Sequence, residues 1–149
     1  MKKIIFISLT IISLNAYAQP WLGMGIGNTV NANAGILVKQ IEISAAYQHP
    51  FSRADKPAIA SLSIGKQLLL SNYDEDNFSL TTSAGVAFHS YKDMAAYNSG
   101  ESDKITKVKE VKAIYGMEIG KDKYLGRYYI NIQYSNRLMY GAGIKFFFR

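Results

Sequence analysis

The chain of 149 residues contains no cysteine. That absence removes disulfides, a thiolate nucleophile, zinc–thiolate centres and a lipid anchor on an N-terminal cysteine. Histidine is nearly absent as well. His49 and His89 are the only two, too few for a multi-histidine metal site, and no cofactor is expected. Beyond the N-terminal region no stretch of roughly 18 apolar residues occurs, so helices crossing a membrane are excluded. Against these gaps stand 11 Tyr, 7 Phe and 12 Gly, a composition that leans towards strands and tight turns. The length suits one domain.

The N-terminus carries an address. Met1-Lys2-Lys3 is a short basic start, and residues 4–14 are apolar except for Ser8, Thr10 and Ser13. Ala16-Tyr17-Ala18 before Gln19 matches the small-x-small pattern of a signal-peptidase site. A run of about 11 residues cannot span ~30 Å of hydrocarbon, which takes roughly 20. The pattern predicts a cleaved signal peptide over residues 1–18 and one domain over 19–149. Losing Lys2 and Lys3 takes two units from the formal charge of +6. An exported chain without spanning helices is either soluble outside the cytoplasm or embedded as a closed β-barrel. The barrel is the other solution that pairs every backbone N–H and C=O away from water.

Period-two alternation runs through most of the remainder. In the final segment Leu138, Tyr140, Ala142, Ile144, Phe146 and Phe148 alternate with Met139, Gly141, Gly143, Lys145, Phe147 and Arg149. Such alternation fits a strand and not a helix. Similar segments centre on Ile130, Tyr115, Ala84, Leu62, Ile43, Ile36 and Met24, giving about eight strands. Their length of roughly ten residues is what a tilted strand needs to cross a bilayer. One face is apolar along nearly every strand, and the other is small or polar. A soluble barrel would hide its apolar face inside. The glycines, serines and charges of the second face would make a poor dry core but a good narrow polar interior. The fold class expected is therefore all-β, an eight-stranded antiparallel up-and-down transmembrane β-barrel.

Connections are expected at 29–33, 39–40, 49–57, 71–77, 91–107, 120–123 and 136–137. With both ends of the chain in the periplasm, the two longest fall outside the cell, where such barrels place long loops. The same orientation sets Tyr47, Phe88, Tyr134 and Tyr140 at the outer rim. Phe78, Tyr124, Phe146 and Phe148 then lie at the periplasmic rim, completing two aromatic belts. The parity of Trp21 leaves its direction open.

On these grounds the chain resembles the small eight-stranded outer-membrane barrels, the class of outer-membrane protein X and the transmembrane part of outer-membrane protein A. The resemblance covers essentially all of 19–149. It implies residence in the bacterial outer membrane, with membrane lipid and lipopolysaccharide as neighbours. The ending Lys145-Phe146-Phe147-Phe148-Arg149 is similar to the signal read by the barrel-assembly machinery, although Arg149 stands where an aromatic residue is usual. No peptidoglycan-binding domain of the protein A kind is expected after the eighth strand.

On the inward face Glu42, Glu118, Arg127 and Lys145 cluster near the periplasmic ends of their strands. Opposite charges in a narrow lumen should pair, because an isolated buried charge is costly. They read as a gate or proton path, or as a structural plug. The plug is favoured because eight strands leave an interior just wide enough for side chains. Gln133-Tyr134-Ser135-Asn136 resembles the histidine-x-serine-asparagine motif of outer-membrane lipid A deacylases. Ser135 matches the nucleophile there, but Gln133 replaces the general base and cannot accept the serine proton at neutral pH. Adjacent His89 and Ser90 point to opposite faces and cannot pair with each other. Neither glycines 23, 25 and 27 nor the carboxylates of 91–107 have nucleotide- or calcium-site spacing. Aromatics on an apolar face, not among cations, disfavour a nucleic-acid surface, and no nucleic-acid partner is expected. The expected role is non-enzymatic: structural, adhesive or binding an envelope protein partner through loops 49–57 and 91–107. A lipid A-modifying enzyme and a soluble periplasmic lipid-binding β-barrel are the competing classes.

Overall fold

The computed structural model describes residues 18–51, 58–73, 76–93, 106–123 and 126–148. Eight strands follow in order: β1 (Ala18–Gly27), β2 (Thr29–Val38), β3 (Ile41–Pro50), β4 (Ala58–Tyr73), β5 (Asp76–Asp93), β6 (Thr106–Lys123), β7 (Gly126–Tyr134) and β8 (Leu138–Phe147). Each pairs antiparallel with the next, and β1 closes the barrel on β8 from Trp21↔Phe147 to Gly27↔Gly141. Closure leaves no open sheet edge. Of the signal peptide expected over 1–18, only Ala18 falls among the described residues, as the first residue of β1, paired with Val38.

Strict alternation decides the two surfaces. Ile130, Ile132 and Val86 are exposed on the wall, whereas Lys145, Arg127 and Asn131 are buried in the lumen. The strands outrun several expected connections. The first is Asn28 alone, not 29–33, because Thr29 and Asn31 are polar residues turned inward. The Asn28 side chain ties this turn to β8, donating to Leu138 O at 2.9 Å and accepting from Tyr140 N at 3.0 Å. The fourth connection also shrinks, since pairing reaches Tyr73↔Asp76 beyond a β-bulge between Leu69 and Ser71. A bulge inserts one residue and reverses the parity after it, which is why Leu68-Leu69-Leu70 breaks the pattern. Pairing of β5 with β6 extends to Asp93↔Thr106, and that of β6 with β7 to Lys123↔Gly126. The intervening residues 94–105 and the loop residues 52–57 lie outside the described residues.

The tight turns use residues suited to them. Lys39 and Asn136 hold positive φ, 56° and 63°, in the left-handed region where Asn is several-fold enriched. The start of β1 and the ends of β2, β4, β6 and β8 share one rim, called the terminal end below. The turns after β1, β3, β5 and β7 share the loop end.

Candidate functional site

The lumen is filled in layers. Near the terminal end, Lys145 Nζ lies 3.0 and 3.2 Å from the two carboxylate oxygens of Glu42, and 2.7 Å from Glu118 Oε1. The ammonium also sits over the Trp21 ring, 4.4 Å from its centroid, and 5.4 Å from that of Tyr129. Trp21 thus points inward, and Gly35 opposite makes room for it. A Cβ there would meet Trp21 Cζ2 at 2.7 Å. A single ammonium held by two carboxylates joins β3, β6 and β8 across the barrel.

Arg127 takes a different partner. Its Nε and Nη2 donate to the two oxygens of Asp122, at 2.5 and 3.1 Å, and neither Glu42 nor Glu118 holds it. The cause is register: Asp122 faces Arg127 directly across the β6–β7 hairpin. Reading residues 120–123 as a turn hid that pairing. The guanidinium also lies 5.1 Å from the Phe147 ring centroid, and Gly120 leaves space for its stem.

In the middle layer the Tyr129 hydroxyl donates to Asn31 Oδ1 at 3.1 Å and accepts from Asn33 Nδ2 at 3.2 Å. Ser44 and Ser63 hydroxyls bond at 2.9 Å. The space between these layers is about 30 Å³, enough for a water or two and far too little for a hydrated ion path. Further towards the loop end the interior turns apolar: Ile59, Ala87, Ile114 and Met139 form a buried cluster. Assigning the whole inward parity to small or polar residues missed this stopper, although Ile59, Ile114 and Met139 stand on that parity.

Beside this cluster Gln48 bonds Gln133, and His89 Nε2, next to Ile59 in the β4–β5 register, lies 3.0 Å from Ser135 Oγ. The sequence supplies no base beside Ser135, yet the fold brings His89 to it from β5, 46 positions away. A serine with a histidine at this distance has the first element of an activated nucleophile. Ser135 is 0% exposed, however, and His89 is buried, so among the described residues the hydroxyl meets no open surface. The pair anchors the β7–β8 turn to the wall.

Outside, Tyr47, Phe88, Tyr134 and Tyr140 are exposed towards the loop end, and Phe78, Phe146 and Phe148 towards the terminal end. Tyr124 lies outside the described residues. Tyr115, paired with Tyr134, adds to the first row, and Tyr128, paired with Ile144, to the second. Lys121 Nζ lies 5.4 Å from the Phe78 ring centroid. Between the rows the wall is aliphatic: Met24, Ile43, Ile64, Met117, Ile130 and Ile132 are all exposed.

No protein-family model and no curated protein sequence matches the chain. Its structure is similar to that of the N-terminal β-barrel domain of OprF from Pseudomonas aeruginosa, with a TM-score of 0.51 and 15% identity over 88% of this chain and 96% of that one. At that identity the likeness speaks for the fold alone. The chain is thus a closed eight-stranded antiparallel barrel, of the architecture that the OprF domain also has.

Proposed function

We propose that the protein is a non-enzymatic outer-membrane barrel whose role is structural, adhesive or partner-binding. One observation carries the reading: a continuous apolar wall between two aromatic rows surrounds a lumen packed with ions and hydrogen bonds. In water such a wall would expose a far larger apolar patch than soluble monomers tolerate. In a bilayer it meets acyl chains, with the aromatic rows at the two interfaces. The terminal end faces the periplasm, and the long β5–β6 hairpin projects outwards. With the middle of the lumen packed and Ser135 buried, contact with molecules outside the cell falls to the loops, including 49–57 and 91–107.

Fractionation tests the location. The protein should pellet with outer membranes, need detergent for release and migrate differently on gels with and without heating. Recovery in the soluble periplasmic extract would refute it. Photocrosslinkers placed within residues 94–105 should trap a partner in intact cells, and an absence of adducts would remove the partner-binding role.

A further inference from the structure

The terminal end opens into a cavity of about 360 Å³, within the size range of small-molecule sites. Two of its lining side chains are more than nine-tenths buried and carry a polar atom without a hydrogen-bond partner: Arg127 Nη1 and Gln67 Oε1. Buried polar groups are nearly always satisfied, so a donor and an acceptor left over in one cavity describe the chemistry of an occupant. The Arg127 side chain is held by an ion pair, and the Gln67 main chain is fixed beside it. The Asp122 carboxylate grips the other two nitrogens of Arg127, and the Gln67 backbone N–H donates to Gln40 O at 2.7 Å.

The charged groups lining the cavity are Lys39, Arg127 and Asp122, a net positive set. An anion is therefore favoured, and a guanidinium N–H is suited to a carboxylate. Gln67 Oε1 can accept from a donor such as an amide N–H beside that carboxylate. Leu37, Leu69 and Phe147 supply an apolar wall for a small side chain. Carboxylate, amide N–H and a short apolar group occur together in the C-terminal residue of a peptide.

We propose that the terminal-end mouth is a binding site for the free carboxyl end of a short peptide, with Arg127 receiving the carboxylate and Gln67 the last amide N–H. The inference concerns the mouth alone and is independent of the membrane and loop roles proposed above. Calorimetric titration of the full-length purified barrel in detergent micelles tests it. Three probes are used: acetyl-Ala-Ala with a free carboxylate, its C-terminal amide, and acetate. The free acid should bind saturably, and the amide and acetate at least tenfold more weakly. Arg127→Lys keeps a cation for Asp122 but loses the guanidinium fork, and Gln67→Leu removes the acceptor. Each should weaken the free acid at least fivefold while the heat-dependent gel shift is retained. Equal affinity for acid and amide, or binding of acetate as tight as the peptide, overturns the proposal. So does the absence of binding at millimolar peptide. Should Arg127→Lys fail to fold, Gln67→Leu and the three probes on the unaltered protein still decide the matter.

Discussion

Replacing Lys145 by methionine isolates the ionic layer of the lumen. Methionine approximates the length of the lysine stem, so packing against Trp21 and Tyr129 is largely kept. What disappears is the ammonium within 3.0 Å of Glu42 and 2.7 Å of Glu118. Lys145 is 1% exposed, and a water in its place would bring no positive charge. Removing one partner of a buried ion pair costs about 3–5 kcal/mol, chiefly because the remaining charge is stranded. Here two carboxylates are stranded together. Trp21 is the only tryptophan and lies against the ammonium, so its fluorescence in a urea titration reports both unfolding and the local change. Lys145→Met should shift the midpoint downwards by the equivalent of ~3–5 kcal/mol. Combining it with Glu42→Gln and Glu118→Gln removes all three charges and should recover most of that loss, since neutral replacements of buried ion clusters are often tolerated. A single variant as stable as the parent would refute the reasoning about stranded charge. A triple variant as unstable as the single would show that packing, not charge, governs this layer.

Three further outcomes are expected. Ile130→Lys, on the outer wall opposite Ala142, should cost ~2–4 kcal/mol in phospholipid vesicles, the penalty for a cation near mid-bilayer; a negligible change in the urea midpoint would contradict a lipid-facing wall. Gly143→Ala puts a Cβ 2.3 Å from Met24 O and 2.5 Å from the Tyr129 hydroxyl, overpacking worth ~1–3 kcal/mol. Gly126→Ala, whose nearest contact is 3.3 Å, should be much milder in the same thermal melt. Ser135→Ala leaves His89 without its hydroxyl partner and should destabilise by ~1–3 kcal/mol, with lipid A mass spectra unchanged from the parent. Acyl chains lost only when Ser135 is present would overturn the non-enzymatic reading.

Much of the barrel was legible because a strand's period is an exact two. Once the apolar parity is found, inside and outside follow for every residue, as for Ile130 against Asn131. Strand ends were harder to read, because pairing continues where the apolar signal stops. Thr29 and Asn31 read as loop residues, yet they belong to β2 because the lumen asks for polar groups. The bulge at Leu69/Ser71 changes parity locally and mimics the start of a turn. Partners in the lumen depend on register and on which strands meet across the barrel. Asp122 and Arg127 were derivable from a hairpin turn at 124–125, had the turn been placed there. His89 and Ser135 were not, since nothing in the local pattern places β5 beside the β7–β8 turn. The direction of Trp21 depended on Gly35, a residue on the neighbouring strand.

The seam between β1 and β8 joins the first and the eighth strand of the barrel, and Lys145 is carried by the eighth. Its acids lie 103 and 27 positions earlier, so both carboxylates have their cation only where β8 is seated. A slip of two residues along the seam would preserve the inside-outside pattern but carry the ammonium ~7 Å away from its acids. The lysine therefore ties the seam to one alignment, the one in which its ion cluster is complete.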